Sequence, residues 1–158
     1  MDLNIIDYLD KDAIVLDVKQ KNKKNLLSFL LDHLIQKKKL KKEHKKDVLK
    51  TLIQREEMGS TAIGGYIALP HARTNTVGRI LISFAVSKDG IPFDSLDQEP
   101  VHIIALLLSH QKEAGLHLKM LAFLARLLRD KLFVQRLKAA KTEEEVLALI
   151  KKQQQAVK

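Results

Sequence analysis

The sequence predicts a three-layer α/β fold, with a mixed central sheet between layers of helices. Strand-like apolar segments alternate with amphipathic helical segments along the 158 residues. The segment 101–108 is almost continuously apolar, which is typical of a strand covered on both faces. No internal repeat or linker interrupts this pattern, so we expect residues 1–158 to form one domain.

The first part of the chain is predicted to contain a strand and two helices. Residues 14–18 are rich in β-branched side chains and favour a strand. Asn22 can cap a helix whose apolar residues recur with a period of 3.6 as far as Ile35. A second helix is expected from about Lys42, and Gly59 is a suitable residue to end it.

The middle of the chain is predicted to form short strands. Residues 66–69 favour a strand, and Pro70 is expected to end it, so that His71 leaves the sheet at that point. A second strand is predicted at 80–86. The dipeptide 89–90, Asp-Gly, predicts a turn after this strand.

The C-terminal part is predicted to be helical. Residues 113–129 are strongly amphipathic, and a shorter helix is expected at 131–139. Thr142 and Glu145 have the spacing of a capping box, which predicts the start of a last helix. From Gln153 the chain is polar, and we expect residues 153–158 to form a frayed tail.

Composition narrows the class of protein. With 46% hydrophobic and 30% charged residues, the chain is typical of a soluble globular protein. It contains no cysteine, which excludes disulfides, thiolate metal sites and a cysteine nucleophile. It has no pattern of a secretory signal and no apolar stretch of about 20 residues that could span a membrane. We therefore expect a cytoplasmic protein that is not embedded in a membrane.

The formal net charge of +9 is concentrated in a lysine run, which we define as residues 37–46. The run contains neither arginine nor aromatic residues, which base recognition and base stacking would require, so no nucleic-acid partner is expected. A solvated helix end is the simpler interpretation of the run. A surface that attracts an acidic protein or a membrane is the alternative.

The residues around His71 are the best candidates for chemistry. Imidazole is the side chain best suited to exchange a proton, a metal or a phosphoryl group near neutral pH. Upstream, Ser60 and Thr61 supply hydroxyl donors, and Arg55 can offer a bidentate fork to an oxyanion. This set suits a tetrahedral dianion better than a metal. A metal bound by His71 and His117 would lack a clear third ligand. From these residues alone, a purely structural role for His71 stays equally open.

One long motif and three shorter ones link the chain to a known family. Residues 55–64 read Arg-Glu-x-x-Gly-Ser-Thr-x-Ile-Gly and are followed at 67–72 by Ile-Ala-Leu-Pro-His-Ala. The shorter motifs are Ile-Pro-Phe-Asp at 91–94, Glu-Pro-Val at 99–101 and Glu-Ala-x-x-His-Leu at 113–118. Together they resemble the type-2 IIA domains, of the fructose/mannitol class, in the bacterial phosphoenolpyruvate-dependent phosphotransferase system. The resemblance covers essentially the whole chain and implies a mixed sheet flanked by helices.

The resemblance implies a phosphocarrier. His71 would accept a phosphoryl group on Nε2 from a phosphorylated HPr-like carrier, either HPr or its nitrogen-branch counterpart. His117 and Arg55 would donate to the phosphoryl oxygens. Ser60 and Thr61 would be weaker helpers. Because the phosphate is carried covalently on His71, the resemblance implies neither a cofactor nor a metal.

Two functions within the family are open, and they differ in the acceptor. A nitrogen-related regulatory IIA acts through its phosphorylation state on target proteins, whereas a transport IIA passes phosphate to a sugar-specific IIB domain. The motifs at 59–61 and 91–94 favour the regulatory group. The alternative outside this family is a basic interaction module that binds proteins or nucleic acid through the lysine run. In such a module His71 would have no chemical role.

Overall fold

The computed structural model describes residues 3–157, in which one mixed sheet is flanked by α-helices. The strands are β1 (Ile14–Val15), β2 (Ala62–Gly64), β3 (Ile67–Ala68), β4 (His71–Arg73), β5 (Leu81–Ile91) and β6 (Val101–Ser109). The helices are α1 (Lys23–Gln36), α2 (Lys45–Glu57), α3 (Ala114–Leu127), α4 (Lys131–Ala139) and α5 (Glu143–Ala156). This architecture confirms the predicted three-layer α/β fold.

The sheet is built around β6. The strand order is β1-β5-β6-β3-β2, and β4 also pairs with β6. β6 runs antiparallel to β5 and parallel to β3 and β4, and all nine of its residues are buried. β1 is shorter than the predicted segment 14–18, because Asp17 takes a positive φ of 56° that a strand does not accommodate.

The helices cover the sheet in two groups. α1 packs on α2, with α1 also contacting β5 and α2 contacting β4. α4 packs on α5, with α4 on β5 and β6 and α5 on β1. α1 begins at its predicted cap, where the side chain of Asn22 accepts a hydrogen bond of 2.8 Å from the backbone nitrogen of Asn25. In the part of the chain that the structure describes, no helix is long and apolar enough to cross a membrane.

Pro70 interrupts a strand but does not end it. β3 and β4 lie one after the other along β6, with Ile67 opposite Ile103 and His71 opposite Leu107. Although Pro70 has no N–H, its carbonyl accepts a hydrogen bond of 3.0 Å from the Leu107 nitrogen, so pairing continues across it. The prediction that His71 leaves the sheet is therefore wrong. His71 is the first residue of β4.

The predicted turn at 89–90 is instead a bulge inside β5. The register between β5 and β6 shifts between Val86 and Ile91, and the strand pairs with β6 on both sides of the shift. Gly90 allows this bend with a φ of +85°, and a Cβ atom there would lie only 2.8 Å from the side chain of Pro100. The Asp-Gly dipeptide therefore marks an irregularity within a strand and not a reversal of the chain direction.

The predicted frayed tail is wrong for residues 153–156, which form the last turn of α5. Gln154 is buried there, and its side-chain oxygen accepts a hydrogen bond of 3.0 Å from the backbone nitrogen of Ile5. Its amide group donates to Asn4 Oδ1 at 2.9 Å. These bonds tie the end of α5 to the start of the described chain. Lys158, also in the predicted tail, lies outside the described residues.

Candidate functional site

His71 is held in one orientation by the backbone beside it. The side chain is half-buried, and its Nδ1 lies 2.8 Å from the carbonyl oxygen of Leu69. A carbonyl can only accept a hydrogen bond, so Nδ1 carries the proton and Nε2 keeps its lone pair. The structure therefore gives His71 the tautomer that a nucleophile at Nε2 needs.

α3 brings a second imidazole against the first. The ring centroids of His117 and His71 are 5.4 Å apart, with the ring planes at 61°. His117 is only 4% exposed, and its Nδ1 lies 2.5 Å from Oγ of Ser109, the last residue of β6. The pairing of the two histidines, predicted from the family resemblance, is thus present in the structure.

Arg55 reaches the site from the last turn of α2, the helix that packs on β4. Its Nη1 donates a hydrogen bond of 2.7 Å to the carbonyl of Gly59, which anchors the guanidinium. A guanidinium has five N–H donors, so this bond leaves others for an anion. Arg55 lies close enough for its charge to act on His71.

These side chains surround a cavity of about 620 Å³ between α2 and α3. The lining residues are Thr51 and Arg55 from α2, His71, Ala72 and Arg73 from β4, and Gln111, Ala114, His117, Leu118 and Leu121 around the start of α3. Both polar and apolar side chains contribute, which suits a small charged group at the centre and a protein partner at the rim.

Both imidazoles have a lowered pKa. Burial lowers the pKa of His71 below 6.5, and the Arg55 charge acts in the same direction, against the hydrogen bond to Leu69. Burial lowers the pKa of His117 to about 4, helped by the positive charge of His71 when that ring is protonated and by the charge of Arg73. Both rings are therefore neutral near pH 7. A neutral ring can act as a nucleophile at one nitrogen and as a donor at the other.

The structure places Ser60 and Thr61 away from the cavity lining. The Ser60 hydroxyl donates to the carbonyl of Phe93, and the Thr61 hydroxyl donates to the buried carboxylate of Glu56. Glu56 also pairs with Lys23 at 2.9 Å. These bonds hold the segment between α2 and β2, so the two hydroxyls already have partners other than the predicted phosphoryl oxygens.

Arg73 was not among the residues predicted from the sequence, although it lines the cavity. It stands two residues after His71 in β4, and alternate residues of a strand point to the same face. That spacing could have identified Arg73. The assumption that the strand ends at Pro70 concealed it.

The lysine run lies at the opposite end of α2 from Arg55. α2 has 13 residues, so its ends are about 20 Å apart. A separate cavity of about 610 Å³ lies beside the run and includes Arg79 in its lining. Within the run, Lys39 is paired with Asp10 at 2.6 Å. The run is thus spatially distinct from the histidine cavity, and its role stays a prediction.

The sequence of this chain matches a known family along most of its length. The model of the family "Phosphoenolpyruvate-dependent sugar phosphotransferase system, EIIA 2" matches residues 7–153. The chain belongs to this family. This EIIA protein is accordingly a phosphotransferase component, and the predicted resemblance is confirmed.

Nitrogen regulatory relatives and sugar-specific relatives both match this EIIA protein. The nitrogen regulatory protein of Bradyrhizobium diazoefficiens is 32% identical over 146 residues, 92% of this chain and 94% of the relative. The fructose-specific EIIABC component of Bacillus subtilis is 30% identical over 148 residues, 94% of this chain but 23% of that protein. The crystal structure of the nitrogen regulatory protein IIA-Ntr from Neisseria meningitidis has a TM-score of 0.84 at 32% identity, covering 92% of this chain and 98% of that chain.

Proposed function

We propose that this EIIA protein is a phosphocarrier in which Nε2 of His71 accepts a phosphoryl group from the phosphohistidine of an HPr-like carrier. The proposal rests on the hydrogen bond between Nδ1 of His71 and the Leu69 carbonyl, which leaves the lone pair on Nε2. His71 also lines the cavity that contains His117 and Arg55. A neutral imidazole in such a cavity is suited to in-line attack on phosphorus.

The proposed transfer exchanges one nitrogen–phosphorus bond for another. As Nε2 of His71 bonds to phosphorus, the bond to the donor's histidine breaks, and that histidine, protonated on its second nitrogen, leaves as neutral imidazole. The proton on Nδ1 of His71 stays in its hydrogen bond to Leu69. Because the bond formed and the bond broken are of the same kind, the transfer is readily reversible, which suits a carrier.

Positive charge and N–H donors around the cavity would stabilise the transferred group. Three equatorial oxygens share the negative charge in the loose transition state of phosphoryl transfer. Arg55 and Arg73 line the same cavity as His71, and each offers several N–H donors. A neutral His117 would add one more N–H donor to the phosphoryl oxygens. A protonated His117 would instead repel the protonated histidine of the phosphorylated carrier.

We propose a regulatory role, in which the phosphorylation state of His71 is read by a target protein. Two nitrogen regulatory relatives support this role, because each is 32% identical to this chain over 92% of its length. The fructose-specific relative supports the second candidate, a transport IIA whose acceptor is a IIB domain. Its 30% identity over 94% of this chain is slightly lower than the 32% identity of the regulatory relative.

Mass spectrometry tests the phosphocarrier directly. Incubation with phosphoenolpyruvate, enzyme I and an HPr-like carrier is expected to add one phosphoryl group to the protein. His71→Ala should abolish the gain, whereas His44→Ala, which changes a histidine at the start of α2 outside the cavity, should leave it intact. Absence of any gain with a carrier that phosphorylates a known EIIA would overturn the proposal.

The acceptor is tested with the phosphorylated protein. A regulatory protein should keep its phosphate when it is mixed with fructose- or mannitol-type IIB domains, on the time over which a transport IIA transfers it. Transfer to a IIB domain at the rate of a transport IIA would favour the second candidate and contradict the regulatory role.

A further inference from the structure

Ser109 is a polar residue in a fully buried position. It ends β6 after the apolar residues 103–108, and its exposed fraction is 0%. Its Oγ lies 2.5 Å from Nδ1 of His117, which is itself buried. A hydroxyl group so deeply buried is destabilising unless it is hydrogen-bonded, and His117 provides the partner.

The proton between Ser109 and His117 can be assigned from the available partners. If Nδ1 of His117 donated to Ser109, the hydroxyl proton of Ser109 would need a second acceptor. Within residues 3–157, the bond to His117 is the one hydrogen bond that the structure gives Ser109 Oγ. The hydroxyl must therefore donate to a lone pair on Nδ1, because the reverse arrangement strands a buried proton.

We propose that Ser109 is a positioning residue that fixes His117 in the tautomer with its proton on Nε2. This inference rests on the proposed function and deepens it. His71 is held in the opposite tautomer by the Leu69 carbonyl. One imidazole of the pair thus offers a lone pair on Nε2, and the other offers an N–H on Nε2.

The tautomer matters because a neutral His117 has a single proton to give. With the proton on Nδ1, Nε2 of His117 would present a lone pair to the phosphoryl oxygens and repel them. Burial, followed by the charge of a protonated His71 and that of Arg73, lowers the pKa of His117 to about 4, so a second proton is absent near pH 7. The Ser109 hydroxyl then decides which nitrogen of His117 donates.

The tautomer can be measured without any phosphate. In unphosphorylated protein with ¹⁵N-labelled histidine at pH 7, two-bond ¹H–¹⁵N correlation spectra distinguish protonated from unprotonated ring nitrogens. We expect His117 to be protonated on Nε2 and His71 on Nδ1. A His117 ring protonated on Nδ1 would overturn the inference, even if the protein proves not to be a phosphocarrier.

Substitutions of Ser109 connect the tautomer to the rate. Ser109→Ala removes the donor, and we expect the maximal rate of phosphorylation by the phosphorylated carrier to fall about fivefold, with the half-saturating carrier concentration unchanged. The spectra of this variant should show a changed Nδ1 resonance of His117. Ser109→Thr keeps the hydroxyl and should restore most of the rate.

Ser83→Ala is the matched control. Ser83 is 1% exposed in β5, and its hydroxyl donates to the carbonyl of Ala13 at 2.8 Å, away from the histidines. We expect this variant to lose stability without a change in rate or in the His117 spectrum. A Ser109→Ala protein that is folded, phosphorylated at the wild-type rate and unchanged in its His117 resonances would show that Ser109 is merely structural. If wild-type protein takes up no phosphate, the proposed function fails, and the tautomer spectrum alone decides on Ser109.

Discussion

At the scale of single residues, the backbone beside His71 fixes the tautomer of its imidazole. Pro70 has a fixed φ and no N–H, and its carbonyl continues the pairing with Leu107 of β6. The preceding carbonyl, that of Leu69, accepts from Nδ1 of His71 at 2.8 Å. The Pro-His sequence therefore keeps the strand in register and at the same time directs the imidazole proton to Nδ1.

The histidines and Arg55 were predicted from the sequence. The strand spacing after His71 could also have identified Arg73, whereas no pattern in the sequence identified Ser109. His71 and Arg55 lie within one continuous motif, whereas Arg73 and Ser109 are brought together by the register of β4 on β6. That register depends on contacts between segments more than 30 residues apart in the chain, which no local pattern encodes. Ser60 was predicted to be a site residue because it lies within the motif. Its hydroxyl instead donates to the carbonyl of Phe93.

Arg73 is expected to support transfer, and Arg73→Gln tests it. Loss of a charge-assisted donor should lower the rate of phosphorylation by the carrier about tenfold. The pKa of His117 should rise from about 4, since the charge of Arg73 is one of its causes. Arg129→Gln removes the same charge from an exposed position outside the histidine cavity and is the control. Equal rates for the two variants would exclude Arg73 from the mechanism.

Among the elements, helices followed the sequence more closely than strands did. α1 and α5 begin at the predicted caps, Asn22 and Thr142, because a cap is a bond between residues three apart. β4 and the bulge near Gly90 were missed, because both depend on pairing with β6. The end of α5 was missed for the same reason, since a polar glutamine shows its distant partner only in the fold.

Gln154 is expected to stabilise the contact between α5 and the N-terminal segment. Gln154→Ala leaves the backbone N–H of Ile5 buried without its partner, so the free energy of unfolding should fall by about 2 kcal/mol. Gln155→Ala, at the exposed neighbouring position, should change it by less than about 0.5 kcal/mol. Urea denaturation followed by circular dichroism measures both. Coincident unfolding curves would mean that the contact does not contribute.

In the whole molecule, the fold gathers one cavity from several elements. α2 supplies Arg55, β4 supplies His71 and Arg73, and α3 supplies His117, all around a sheet whose central strand is completely buried. A rigid sheet is a suitable base for a group that, in the proposed function, two proteins approach in turn. The lysine run lies at the other end of α2, so a second protein could engage it without covering His71.

Global stability should depend on the charge state of His117. Its pKa is about 4 in the folded protein and near 6.5 when unfolded, so the unfolded chain binds more protons between these values. Acidification from pH 7 to pH 4 should therefore lower the free energy of unfolding by about 3 kcal/mol from this residue, with only about 0.4 kcal/mol of further loss below pH 4. Urea denaturation across this range should show a shallower pH dependence for His117→Gln. An equally steep dependence in that variant would contradict the buried, neutral His117.

The atom that carries the phosphate decides the proposed mechanism. Protein with ¹⁵N-labelled histidine, phosphorylated by the carrier, should show a single phosphohistidine in ¹H–¹⁵N and ³¹P spectra. We expect the phosphate on Nε2 of His71, with the proton still on Nδ1 in its bond to Leu69. Phosphate on Nδ1 of His71, or on any other residue, would contradict the mechanism derived from this structure.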